Sequence, residues 1–64
     1  MPIINVTVGE LPKEKKKLLI EKLVTASMEV TGAPESSHMV VIQEYPLDAL
    51  SLGKKTVEEF IAEK

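Results

Sequence analysis

The sequence predicts an α/β fold built as one β-α-β unit, and three observations carry that prediction. An alternating run near the start, with Ile4, Val6 and Val8 against Asn5 and Thr7, has the two-residue period of a strand. A long stretch with apolar residues at helical spacing follows it, and a β-branched run from Met39 to Tyr45 supplies a second strand. A helical crossover of this length is right-handed and leaves the two strands parallel in one sheet.

Each element has its own local logic. Pro2 shares the parity of Ile4, Val6 and Val8, so it belongs to the apolar face of the first strand, and Gly9 is placed to end that strand. Pro12 suits the first turn of the helix, where its missing N–H costs nothing, which puts Leu11 at the N-cap. Leu19, Leu23, Ala26 and Val30 recur at helical intervals, and Leu18, Ile20, Val24 and Ser27 widen the stripe. Gly32 is positioned for a left-handed C-terminal turn, and Pro34 forbids continuation. Ser36, Ser37 and Pro46 bound the second strand. Pro46 to Lys55 reads as a loop or short hairpin, and Thr56 followed by Glu59 is a capping box that opens a short C-terminal helix with Phe60 and Ile61 as its apolar contacts.

The composition sets further bounds. The 64 residues make a single domain, 1–64, and a chain of this length buries only about 60% of its unfolded surface. It has no cysteine and one histidine, so neither disulfides nor a structural zinc site can staple it. Yet 44% of its residues are hydrophobic, which predicts apolar faces that self-assembly covers. Net charge is −2 and none of the basic residues is arginine, which argues against nucleic-acid binding. Lys13, Lys15, Lys16, Lys17 and Lys22 read as the solvated side of the helix. With no long apolar run and no charged leader, the chain is expected in the cytoplasm, away from membranes.

Pro2 carries the chemistry. A methionine before a small residue is normally trimmed, which would expose a secondary amine on a rigid ring. An α-amino group titrates near ~7.7 to 8.0, and an apolar surrounding lowers that value by disfavouring the charged form. A neutral amine at pH 7 is a general base for carbon-bound protons or a nucleophile for carbonyls. The plainer alternative is that Pro2 merely starts an edge strand, where its missing N–H does no harm.

The ordered set of segments resembles one family, the small tautomerases typified by 4-oxalocrotonate tautomerase. The segments are Met1-Pro2-Ile3, Glu14 to Ile20, Gly32-Ala33-Pro34, Val40-Val41-Ile42-Gln43-Glu44 and Leu50-Ser51-Leu52-Gly53-Lys54, together spanning nearly the whole chain. The resemblance implies β-α-β subunits with a short C-terminal hairpin and helix, joined as a homo-oligomer, a hexamer arranged as a trimer of dimers. It implies an isomerase that works without metal or organic cofactor on a small-molecule substrate, with Pro2 as general base.

The chain also departs from the family pattern. The two arginines that bind a dicarboxylate correspond by position to Leu11 and Met39, and the pocket phenylalanine corresponds to Leu50. The second glycine of a pair near the end is replaced by Lys54. Leu11, Met39 and Leu50 are therefore expected as apolar pocket wall, marking a divergent subgroup that favours a smaller or less charged enol or α-keto acid. The group that steadies the enolate is unassigned; backbone N–H groups, ordered water, His38, Lys54 and Lys55 are the candidates. A non-catalytic subunit, a hydratase or decarboxylase activity, and a ribbon-helix-helix DNA-binding dimer are the competing readings. The last is disfavoured by the acidic balance and by a third element that reads as strand.

Overall fold

The structure, a computed structural model, describes residues 1–63. Strand β1 (Ile3–Gly9) leads through a short loop into helix α1 (Lys13–Thr31), and strand β2 (Met39–Tyr45) returns beside β1. Two 3-10 turns, Glu35–Ser37 and Leu47–Ala49, flank β2; the chain closes with a hairpin of β3 (Ser51–Leu52) and β4 (Lys55–Thr56) and with helix α2 (Val57–Ala62).

β1 and β2 pair in parallel with an unbroken register from Ile3 opposite Met39 to Gly9 opposite Tyr45, as a helical crossover requires. Their side chains alternate. Ile4, Val6 and Val8 with Val40 and Ile42 are half-buried, whereas Ile3, Asn5 and Thr7 with Met39, Val41, Gln43 and Tyr45 lie on the open face of the sheet. Thr7 Oγ1 donates to Gln43 Oε1 at 3.3 Å across that open face.

Helix α1 begins one residue later than the sequence predicts. Pro12, extended at φ −61° and ψ 155°, is the N-cap, and no side chain caps the helix there. Leu19, Leu23, Val24, Ser27 and Met28 form its half-buried stripe, joined by Lys16. Ala26 and Val30, expected in that stripe, point away from the sheet, and Val30 is 87% exposed. The phase explains the difference: steps of four from Leu19 through Leu23 to Ser27 turn the half-buried line by about 40° each, so by Ser27 it stands about 100° from Ala26 and about 60° from Val30. Gly32 ends the helix at φ +75°, with its N–H on the Met28 carbonyl, as its placement before Pro34 predicts.

Gly9 is the last residue of β1, and close packing is what it serves there. A Cβ at that position would lie 3.1 Å from Leu47 Cδ2, so the turn after β2 closes on bare backbone. At the other end of the chain the predicted capping box is present: Thr56 Oγ1 accepts from the Glu59 N–H, and the Glu59 carboxylate accepts from the Thr56 N–H.

Among the described residues none is fully buried. One α-helix on one face of a two-stranded sheet leaves Ile3 and Met39 at 55% and 50% exposure. An isolated sheet of this kind lacks a core that would make it independently stable. No helix among the described residues is long and apolar enough to cross a membrane.

Candidate active site

Parallel pairing decides where each candidate residue stands. Pro2 precedes β1 and Met39 opens β2, so both lie at the N-terminal ends of the strands, and the Met39 N–H donates to the Pro2 carbonyl at 3.0 Å. The Pro2 ring is half-buried and keeps the parity of Ile4 and Val6. Leu11 follows the C-terminal end of β1. Leu50 lies three residues beyond Leu47, which is seated at that same end against Gly9. A strand of seven residues, at about 3.3 Å per residue, separates the two ends by about 20 Å. One chain therefore does not form a pocket from Pro2, Met39, Leu11 and Leu50. It presents two half-sites at opposite ends of the same sheet.

His38 stands just before Met39 but is occupied on both ring nitrogens. Nδ1 lies 2.9 Å from the Pro34 carbonyl and Nε2 lies 2.8 Å from Ser27 Oγ. A carbonyl only accepts, so Nδ1 donates to Pro34, and Nε2 is engaged by the Ser27 hydroxyl. His38 thus clips the end of α1 to the segment entering β2, which makes it a structural residue and leaves it no free N–H for an enolate.

The basic candidates divide in the same way. Lys55 is ion-paired with Glu63, whereas Lys54, in the hairpin turn, makes no hydrogen bond or ion pair among the described residues. Lys16 is held by Glu44, with Nζ 2.8 Å from Oε1. The other Glu44 oxygen accepts from the Leu11 N–H at 3.0 Å. The backbone N–H of Leu11, followed by the Lys16 ammonium, holds the Glu44 carboxyl below the usual glutamate range. Sequence reasoning passed over Glu44. Its partners Leu11 and Lys16 lie 33 and 28 residues away, so no local signal in the sequence marks the arrangement.

Two surface depressions of the single chain lie elsewhere, along α1 between Leu18 and Glu29 and beside Ile20 and Glu35. Neither includes Pro2.

Comparison with known proteins places this architecture. The family described as Tautomerase enzyme matches residues 2–59. A probable tautomerase of Bacillus cereus is 37% identical over 60 residues, covering 92% of this chain and 98% of its own. Among solved structures, TomN, a 4-oxalocrotonate tautomerase homologue of the tomaymycin biosynthetic pathway, superposes with a TM-score of 0.89 at 31% identity over 95% of each chain. A heterohexamer 4-oxalocrotonate tautomerase from Chloroflexus aurantiacus matches with a TM-score of 0.85 at 25% identity, covering 92% of this chain and 97% of its own. With the match beginning at Pro2 and running through both strands, the helix and the hairpin, the chain belongs to the tautomerase family and has a tautomerase-type, isomerase-class function.

Proposed function

We propose that this chain is a cofactor-independent tautomerase whose base is the Pro2 amine, freed by removal of Met1, acting in a site completed by a neighbouring copy. The observation that carries the reading is the separation of the half-sites. Pro2 and Met39 lie at one end of the sheet, Leu11 and Leu50 at the other, and the open sheet face between them exposes Ile3, Met39, Val41 and Tyr45 beside the polar Asn5, Thr7 and Gln43. Assembly would bring the base end of one subunit against the wall end of another and cover that face. The heterohexameric state of the Chloroflexus relative supports assembly, and a hexamer of identical chains is the form we infer here.

The reaction is a 1,3 proton shift on a small enol, 2-hydroxydienoate or α-keto acid. The neutral ring nitrogen takes a proton from the substrate and leaves a delocalised enolate. The resulting ammonium returns a proton two atoms away, so the amine is regenerated and no electrons are gained or lost. Apolar surroundings keep the nitrogen neutral near pH 7. Leu11, Met39 and Leu50 offer no charge to a second carboxylate, which selects a monoanionic substrate over a dicarboxylate. Of the candidate side-chain donors His38, Lys54 and Lys55, Lys54 is the one without a partner among the described residues, which favours it to steady the enolate.

The test compares the processed chain before and after acylation of the Pro2 nitrogen, with ketonisation of phenylenolpyruvate as readout. Loss of the base is expected to lower kcat about a hundredfold or more. An unchanged rate after acylation would remove Pro2 from the chemistry and favour a non-catalytic member of the fold.

A further inference from the structure

One polar arrangement at the wall end is not needed for the proton transfer itself. Glu44 closes β2 on the inward face, and its two carboxylate oxygens reach separate elements: Oε2 takes the Leu11 N–H from the β1–α1 loop, and Oε1 takes Lys16 Nζ from α1. Lys16 and Glu44 keep side-chain exposures of 34% and 28%, so the pair is half-sheltered at the edge of the sheet. Lys16 is the one charged side chain among the described residues that bonds to Glu44. Pro12 caps α1 without a side-chain acceptor, and Glu44 supplies a side-chain acceptor to the loop just before it. Leu11 lies within this short connection, and its backbone amide is the atom Glu44 holds.

We propose that Glu44 is a positioning residue for the active site: it clamps the loop bearing Leu11 to the first turn of α1 and so sets the wall that this subunit presents to the base of its neighbour. The proposal rests on the reading of a composite site given above. It assigns Glu44 no contact with substrate. Its effect is on how well the pocket holds substrate before and during reaction alike, which is a change in KM with kcat kept. The lowered carboxyl pKa agrees with an acceptor that is charged whenever the enzyme works at neutral pH.

Two variants and one titration test it, in the assembled full-length protein. Glu44→Gln keeps an oxygen for the Leu11 N–H and loses the charge facing Lys16, whereas Glu44→Ala loses both. The expected result is a KM raised about tenfold in Glu44→Ala with kcat within about twofold of the parent, and a smaller rise in Glu44→Gln. In the parent protein the Leu11 amide resonance is expected to shift in acid, with a midpoint below the ordinary glutamate range, as the carboxylate protonates. An unaltered KM in both variants, a loss confined to kcat, or a Leu11 amide that ignores acid would overturn the proposal. Acylation of the Pro2 nitrogen run in parallel keeps the two claims apart. Full activity after acylation sinks the catalytic reading, while the Leu11 titration and the KM comparison in the unmodified chain still judge the clamp.

Discussion

The two ends of the parallel sheet are built from the same pair of strands and have opposite chemistry. At the N-terminal end, Pro2 and Met39 meet through one backbone hydrogen bond, the Pro2 ring is half-buried, and the side chains of Ile3 and Met39 on the open face are apolar and exposed at 55% and 50%. The nearby His38 is turned away into its clip between Ser27 and Pro34. At the C-terminal end, Glu44 ties loop, helix and strand together, and Leu47 closes on Gly9. The difference separates two requirements that conflict within one pocket. A base that must stay uncharged needs apolar surroundings without a nearby carboxylate, and a loop that must hold its shape needs a strong charged acceptor. A parallel strand pair keeps them about 20 Å apart in one chain, and in the composite site we propose each end serves a different copy.

The largest expected effect comes from blocking that assembly. Val41 sits in the middle of the open sheet face, and Val41→Lys places a charge where a neighbour must pack. Size-exclusion chromatography is expected to show the monomer mass, with loss of both activity and cooperative unfolding, since the lone chain has no fully buried residue among those described. An active, cooperatively folding monomer would break the contrast between the ends.

A second change sharpens the contrast by altering the base end alone. Met39→Arg adds a cation beside Pro2, and a hydrogen bond to a charged group is worth about 1.5–3 kcal/mol, so KM for a dicarboxylate substrate is expected to fall about tenfold or more. KM for a monoanionic enol should move far less. Equal changes for both substrates would mean that position 39 does not face the substrate.

The smallest effects lie in the C-terminal arm. Thr56→Ala removes the capping box of α2 and is expected to cost about 1 kcal/mol of stability by denaturant unfolding, with KM unaltered. The Glu59 carboxyl is held below its usual range by the Thr56 N–H and hydroxyl, and Glu44 is held down by Leu11 and Lys16. A depressed folded pKa contributes stability above the unfolded value, about 4.3 for glutamate, and that stability is lost as pH falls through the folded value. Acid titration of the parent should therefore show stability falling below pH ~4.3, and Thr56→Ala should flatten part of that fall.

Much of this was legible before the structure. The Met39–Tyr45 strand, the Gly32 stop and the Thr56–Glu59 box follow from local rules of propensity, left-handed turns and capping, and each stands where those rules put it. The helix stripe was legible in kind but not in phase, because Ala26 and Val30 are as apolar as the residues that face the sheet, and tertiary packing chose between them. The separation of these residues was implicit in the topology: a parallel pair with Pro2 before one strand and Leu11 after it leaves them at opposite ends of the sheet. The roles of Glu44 and His38 were not legible, since each depends on partners 33 and 11 residues away in sequence.

The composite site is tested most directly by subunit complementation. Acylation of the Pro2 nitrogen blocks the base and Leu50→Asp spoils the wall, so each variant alone is expected to be inactive. Unfolding and refolding them together builds some sites that take an intact Pro2 from one chain and an intact Leu50 from the other. Activity well above that of either parent variant is the predicted result, and a mixture that assembles but stays as inactive as its components would contradict a site shared between subunits.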